Sequence, residues 1–174
     1  VRKLTEIEIS NIREAGSDIN WKALCKSFYL SESFIIEFQD KVDWEEISFH
    51  QALSENFIRS FKDKVNWSWI CCSQKLSESF IIEFQDSINW AEISFHQILS
   101  EDFIRSFKDK VDWSYISYKQ NLSESFIIEF QDKINMHWIL YNQNKNRKRL
   151  INNSTISTDL ISSNTQDKVL LTNK

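Results

Sequence analysis

Apolar residues fall along this chain in a block that keeps starting again. In the stretch Leu99 to Asn121, LSEDFIRSFKDKVDWSYISYKQN, the apolar positions are Leu99, Phe103, Ile104, Phe107, Val111, Trp113 and Ile116, with polar residues filling most of the rest. The same block opens at Leu30, Leu53, Leu76 and Leu122, so it restarts at every 23rd residue. A period in that range is the signature of a stacked repeat array, because one such unit cannot bury its own apolar face and must cover it with a neighbour.

Each block predicts two short helices. In the block from Leu30, Ser31 is placed to cap the first helix and Glu32 to meet its positive end, while Leu30 and Ile35 stand at the spacing of a hydrophobic staple. Phe34, Ile35, Phe38 and Val42 then form one apolar stripe, and the helix is expected to end near Lys41. Asp43 restarts the chain as the cap of a second helix from Trp44 to about Gln51. Glu46 follows three residues later in a capping-box arrangement that returns as Asn89 with Glu92. The other blocks hold Asn66, Asp112 and Asn135 at this cap. Helices of roughly 11 and 9 residues are marginal alone, so stacking has to hold them. The paired phenylalanines (Phe34 and Phe38, Phe57 and Phe61, Phe80 and Phe84, Phe103 and Phe107, Phe126 and Phe130) and the tryptophans are the candidate core of that stack.

Three segments follow. Residues 1–29 hold a degenerate copy: Ile12, Ile19, Trp21 and Leu24 keep the register, but Asn11 and Ala15 replace the phenylalanines, as suits the outer side of a capping repeat. Residues 30–144 hold five regular copies, the last altered by Met136 in place of tryptophan and by Trp138, Ile139, Leu140 and Tyr141. Residues 145–174 lose the pattern and read as a polar, basic tail. The fold class expected is all-α, an α-solenoid of about six two-helix repeats.

Composition narrows the chemistry. The 174 residues include no proline and one glycine, Gly16, which argues against an all-β protein and leaves no glycine-rich phosphate loop. Cys25, Cys71 and Cys72 form no CxxC pair and no zinc spacing, so a reducing compartment and structural thiols are expected. No apolar run reaches the length of a membrane span, and VRKLTEIEIS lacks the apolar core of a signal peptide; an intracellular, cytoplasmic protein is the expectation. No catalytic, cofactor-binding or metal-ligating constellation stands out from the repeat, so neither enzyme activity nor a cofactor is expected.

A second period, twice as long at 46, overlies the first. Copies from Leu30, Leu76 and Leu122 carry IIEFQD with Glu37, Glu83 and Glu129; those from Leu53 and Leu99 carry IRSFKD with Arg59, Lys62, Arg105 and Lys108. Stacking would set basic and acidic helices in alternation, with Arg59 between Glu37 and Glu83. These seven residues are the candidate partner-binding face, either as a charge-striped recognition surface or as a solvated set of neighbour-to-neighbour ion pairs. His50 and His96 share the alternation and read as surface residues. Gln51, Gln74, Gln97, Gln120 and Gln143 recur every 23rd residue, where a side-chain ladder or a bond to turn carbonyls would satisfy a buried helix end.

The net charge of -4 disfavours a phosphate-tracking groove in the repeats. The basic run Lys145, Arg147, Lys148 and Arg149 is a candidate import signal or phosphate contact, or a solvated tail. The block LSEDFIRSFKDKVDW, followed by Tyr-Ile-Ser and a late glutamine, resembles a short helical repeat found in uncharacterised proteins of giant, nucleocytoplasmic large DNA viruses. That resemblance implies a helical repeat protein of viral origin and carries no known chemistry. Taken together, the expectation is a non-catalytic protein-protein interaction scaffold with a host or viral protein partner. The alternatives are a structural component of a virion or self-assembling particle, and a weak nucleic-acid binder through the basic tail.

Overall fold

A computed structural model describes residues 2–15 and 19–141 of the chain. The architecture is the all-α array that the period demands. After a two-residue strand β1 (Arg2–Lys3) come α1 (Glu6–Glu14), α2 (Trp21–Ser27) and a second short strand β2 (Phe28–Tyr29). The regular pairs follow: α3 (Glu32–Glu37) with α4 (Trp44–His50), α5 (Glu55–Ser60) with α6 (Trp67–Ser73), α7 (Glu78–Glu83) with α8 (Trp90–His96), and α9 (Glu101–Ser106) with α10 (Trp113–Lys119). Then come α11 (Glu124–Glu129) and a helical stretch at 136–141. The second helices α2, α4, α6, α8 and α10 pack side by side in chain order.

Two local expectations change. The first helices stop at the residue before Phe38 and its counterparts rather than near Lys41. Phe38 sits at φ -111°, ψ 26°, outside the helical region, and the Lys41 and Val42 N–H groups both return to its carbonyl. The freed carbonyl of Gln39 accepts instead from the Trp44 indole Nε1–H at 2.9 Å. Trp67, Trp90 and Trp113 do the same to Lys62, Gln85 and Lys108, so each tryptophan both pins the turn inside its own copy and packs outward.

The second change is the capping box. The Asx residues do cap the second helices: the Asp43 carboxylate accepts from the Glu45 and Glu46 N–H groups. Glu46 does not return to the cap. The cap N–H is already committed to the copy before: Asn66 N–H donates to Ser48 Oγ, Asp112 to Ser94 and Asn135 to Ser117, each at 2.9 Å. Cys25 and Cys71 occupy this serine register, and their sulfurs receive the Asp43 and Asn89 N–H groups. Among the described residues the complete capping box is at α1, between Thr5 and Glu8.

Stacking is carried by three further contacts that recur from copy to copy. The tryptophan that opens a second helix lies against the phenylalanine pair of the next copy; Trp44 and Phe61 have ring centroids 5.0 Å apart, Trp67 and Phe84 4.9 Å, and Trp113 and Phe130 5.0 Å. The isoleucines Ile35, Ile58, Ile81 and Ile104 of the first helices, with Ile47, Ile70, Ile93 and Ile116 of the second, are wholly buried. Met136 stands in the tryptophan register of the last described copy.

Glutamine forms the second contact. Gln97 Nε2 donates to the carbonyls of Cys71 and Gln74, both at 2.8 Å, while its Oε1 accepts the Leu76 N–H at 3.1 Å. Gln51, Gln74 and Gln120 repeat this three-bond clamp, with two bonds to carbonyls of the copy before and one from the opening leucine N–H of their own copy. The clamp closes the open carbonyls at the end of each preceding second helix. Gln143 lies outside the described residues. The third contact is a carboxylate reaching forward: Glu32, Glu55, Glu78 and Glu101 accept the backbone N–H of Ser54, Ser77, Ser100 and Ser123 at 2.6 to 2.7 Å.

The strand pair has no counterpart in the sequence reading. The residue after every second helix is extended, and the first of these, Phe28, has no regular copy before it. β1 lies parallel to β2 there, with Arg2 opposite Phe28 and Lys3 opposite Tyr29. Leu4, Ile9 and Ile12 pack against the core formed by Cys25, Leu30, Phe34 and Ile35, so the worn copy covers this end of the stack.

Candidate partner-binding surface

The first helices carry Glu37, Arg59, Glu83, Arg105 and Glu129, with Lys62 and Lys108 in the turns that follow, and their pairing differs from the continuous ladder. Arg13, Ile36, Arg59, Ile82, Arg105 and Ile128 share one register. Arg59 Nε meets Glu83 of the next copy at 2.8 Å, and Arg105 Nε meets Glu129 at 2.9 Å. Glu37 is held not by Arg59 but by Arg13 of the degenerate copy, through two bonds of 2.6 and 2.8 Å. Arg13 holds the Glu37 carboxyl below its ordinary pKa, and Glu129 raises that of the Arg105 guanidinium.

Each arginine therefore has its partner inside the molecule. Arg59 and Arg105 also lie over the rings of Phe80 and Phe126 at 5.0 and 4.9 Å. Lys62 and Lys108 are exposed and make no ion pair among the described residues. Between the arginines, Ile36, Ile82 and Ile128 are open to solvent. Lys145, Arg147, Lys148 and Arg149 lie outside the described residues.

The second helices present a face that the sequence reading missed. Its third and sixth helical positions hold Glu46 and Phe49, Trp69 and Cys72, Glu92 and Phe95, Tyr115 and Tyr118, then Trp138 and Tyr141. None of these aromatics belongs to the phenylalanine and tryptophan stack. They touch one another instead: Phe49 and Trp69 at 4.5 Å, Phe95 and Tyr115 at 5.0 Å, and Tyr118 and Trp138 at 4.8 Å between centroids. Phe49 is 42% exposed and Tyr141 47%. The signal was present in the sequence, since these aromatics sit off the inner stripe and return in the same register from copy to copy.

Charged residues frame that face. Glu46 lies 3.2 Å from His50 and 3.5 Å from Lys22, and Glu92 lies 3.3 Å from His96. A cleft of about 210 Å³ opens between Lys26, Glu45, Glu46, Phe49, His50 and Trp69.

Cys25 and Cys71 lie under this face and belong to the stack, while Cys72 is half-buried on the face itself. Burial pushes the Cys25 and Cys71 thiols up to about 11, which keeps them protonated and unreactive at neutral pH. Among the described residues no three His, Cys, Asp or Glu side chains are grouped to hold a metal ion, and no helix is long and apolar enough to cross a membrane.

No family model, curated protein or solved structure matches this chain. The regular helical repeat is therefore described by its own geometry.

Proposed function

We propose that the chain is a non-catalytic protein-binding scaffold that docks its partner on the second-helix face. The observation that supports this is the aromatic row from Phe49 to Tyr141, large apolar side chains left outside a core that is complete without them. Exposed apolar surface rimmed by polar groups marks interaction sites, and tryptophan and tyrosine are the usual anchors. The charged first-helix face is the weaker candidate, because Arg59 and Arg105 are committed to Glu83 and Glu129. The resemblance to giant-virus repeats extends the proposal to a viral, host-directed adaptor working inside a cell, where the thiols stay reduced.

The test compares capture of binding proteins by the intact chain, by a Trp69→Ser/Tyr115→Ser variant and by a variant with Arg59, Lys62, Arg105 and Lys108 changed to Glu. Circular dichroism serves as the folding control. The expected result is a defined protein, identified by mass spectrometry, that is lost with the aromatic variant and kept with the charge variant. Loss in the charge variant alone would move the docking site to the first helices. Recovery of this chain alone, with concentration-dependent sedimentation, would replace the scaffold by a self-assembling component.

A further inference from the structure

The cleft between α4 and α6 resembles, in its chemistry, a second place in the same molecule where a cation already sits. In the cleft, Phe49 and Trp69 stand with ring centroids 4.5 Å apart and planes inclined at 57°, and the His50 ring meets Phe49 edge-on at 4.7 Å. Glu45 is held against the Trp69 indole N–H at 3.4 Å, and Glu46 lies on the same wall. Two ring faces beside two carboxylates form a receptor for a compact positive charge.

Two copies later most of these elements return, as Phe95, His96, Tyr115 and Glu92, with Ala91 in the register of Glu45. His96 again meets the phenylalanine edge-on at 4.7 Å. Here the chain supplies its own ammonium: Lys119 Nζ stands 4.0 Å from the Phe95 centroid and 5.2 Å from that of Tyr118. The residue in the register of Lys119 at the first site is Ser73. Its hydroxyl is turned inward to the carbonyls of Trp69 and Ser48, at 2.6 and 2.9 Å. Lys26, from the copy on the other side, lines the cleft as well. Unlike Lys119, it makes no cation-ring contact among the described residues.

We propose that the cleft of Glu45, Glu46, Phe49, His50 and Trp69 receives a lysine side chain of a partner protein, whose ammonium takes the place that Lys119 takes against Phe95. This rests on the second helices being the docking face, and it adds the chemistry of one anchor. Glu45, which makes no ion pair among the described residues, supplies the charge complement beside Glu46, which already faces Lys22 and His50, and the ring faces accept the lysine stem as well as its head.

The indole N–H of Trp69 is a direct reporter. The intact chain, labelled with nitrogen-15, is titrated with Nα-acetyl-lysine methylamide and, separately, with the norleucine analogue that lacks the ammonium. Trp69→Phe assigns the resonance. The expected result is a saturable shift of the Trp69 indole signal with the lysine amide, absent with the norleucine amide, and at least tenfold weaker in Glu45→Gln/Glu46→Gln. Ser73→Lys, which gives the first site its own cation, abolishes the shift. Lys119→Ser opens the second site, so that the probe then also moves the Phe95 ring signals. A Trp69 signal that ignores the lysine amide, or moves equally with norleucine, overturns the assignment. If a partner is still captured through the aromatic face in that case, the scaffold stands and only this anchor falls. If the indole shifts while no partner is captured, the anchor stands and the scaffold falls.

Discussion

The seam between copies and the surfaces outside it obey different periods. At the seam, glutamine, tryptophan and the forward-reaching glutamate make the same bonds in each of the copies that open at Leu30, Leu53, Leu76 and Leu99. Outside, arginine alternates with isoleucine and phenylalanine with tryptophan or tyrosine, so the pattern closes only after two copies. A seam residue answers to its own copy and to a neighbouring one, and changing Gln97 strands buried backbone groups in both. A surface residue needs one mate at most, and a two-copy unit supplies it. One variation that the seam admits makes the same point: cysteine replaces serine at Cys25 and Cys71, where sulfur still accepts the N–H of the next cap.

Substitutions on the two sides should separate accordingly in urea unfolding. Phe103→Ala, which empties a buried ring position against Trp90, should cost about 3–5 kcal/mol. Gln97→Ala removes almost no apolar volume but strands two carbonyls and one N–H, and should cost on the order of 2–4 kcal/mol. Cys71→Ser should be close to neutral, because Ser48 and Ser94 show the hydroxyl bonded on both sides in this register. Cys71→Ala should cost about 1–2 kcal/mol. An equal loss for the serine and alanine variants would mean that the register depends on sulfur packing and not on the accepted bond. Arg59→Ala, on the surface, should stay within about 0–1 kcal/mol.

The degenerate copy allows a pH test of its own kind of cap. Bonds from Arg2 and then from the Thr5 backbone hold the Glu8 carboxyl at about 2, below its ordinary 4.5. A carboxylate depressed in the folded state stabilises it fully above the unfolded value and loses that contribution as pH falls toward the folded one. The amide signals of Glu6–Glu14 should therefore lose protection between about pH 4.5 and 2, before those of the regular copies, and Glu8→Gln should flatten the change.

Much of the seam was legible from residue types at fixed spacing. Phe103, Ile104 and Trp113 marked the apolar stack, and a polar residue returning at Gln97 called for a buried role. The length of the first helix was not legible, because Phe38 leaves the helix through a turn whose next carbonyl, that of Gln39, is taken by Trp44. Nor was the fate of the capping box at Glu46, since the competing acceptor, Cys25, belongs to the copy before the cap it serves. Charge on the first helices was legible but its pairing was not: Glu37 can be matched to Arg13 only once the worn copy is seen to keep that register. The aromatic face is hidden from a reading by residue type, because Trp69 and Tyr115 pass for core aromatics until each is placed by its position in the repeat.

The alternation also bears on how such a gene can change length. If residues 53–98 were lost, Ala52 would join Leu99 and the exchange would leave every bond type in place. Gln120 would clamp the copy before it, Trp44 would meet Phe103 and Phe107, and Arg105 would keep Glu129. Loss of 53–75 would preserve the seam as well but set two IIEFQD copies together, leaving Glu83 without its arginine. Unequal recombination in steps of two copies is thus silent for both seam and surface, while steps of one copy leave a scar on the outside only.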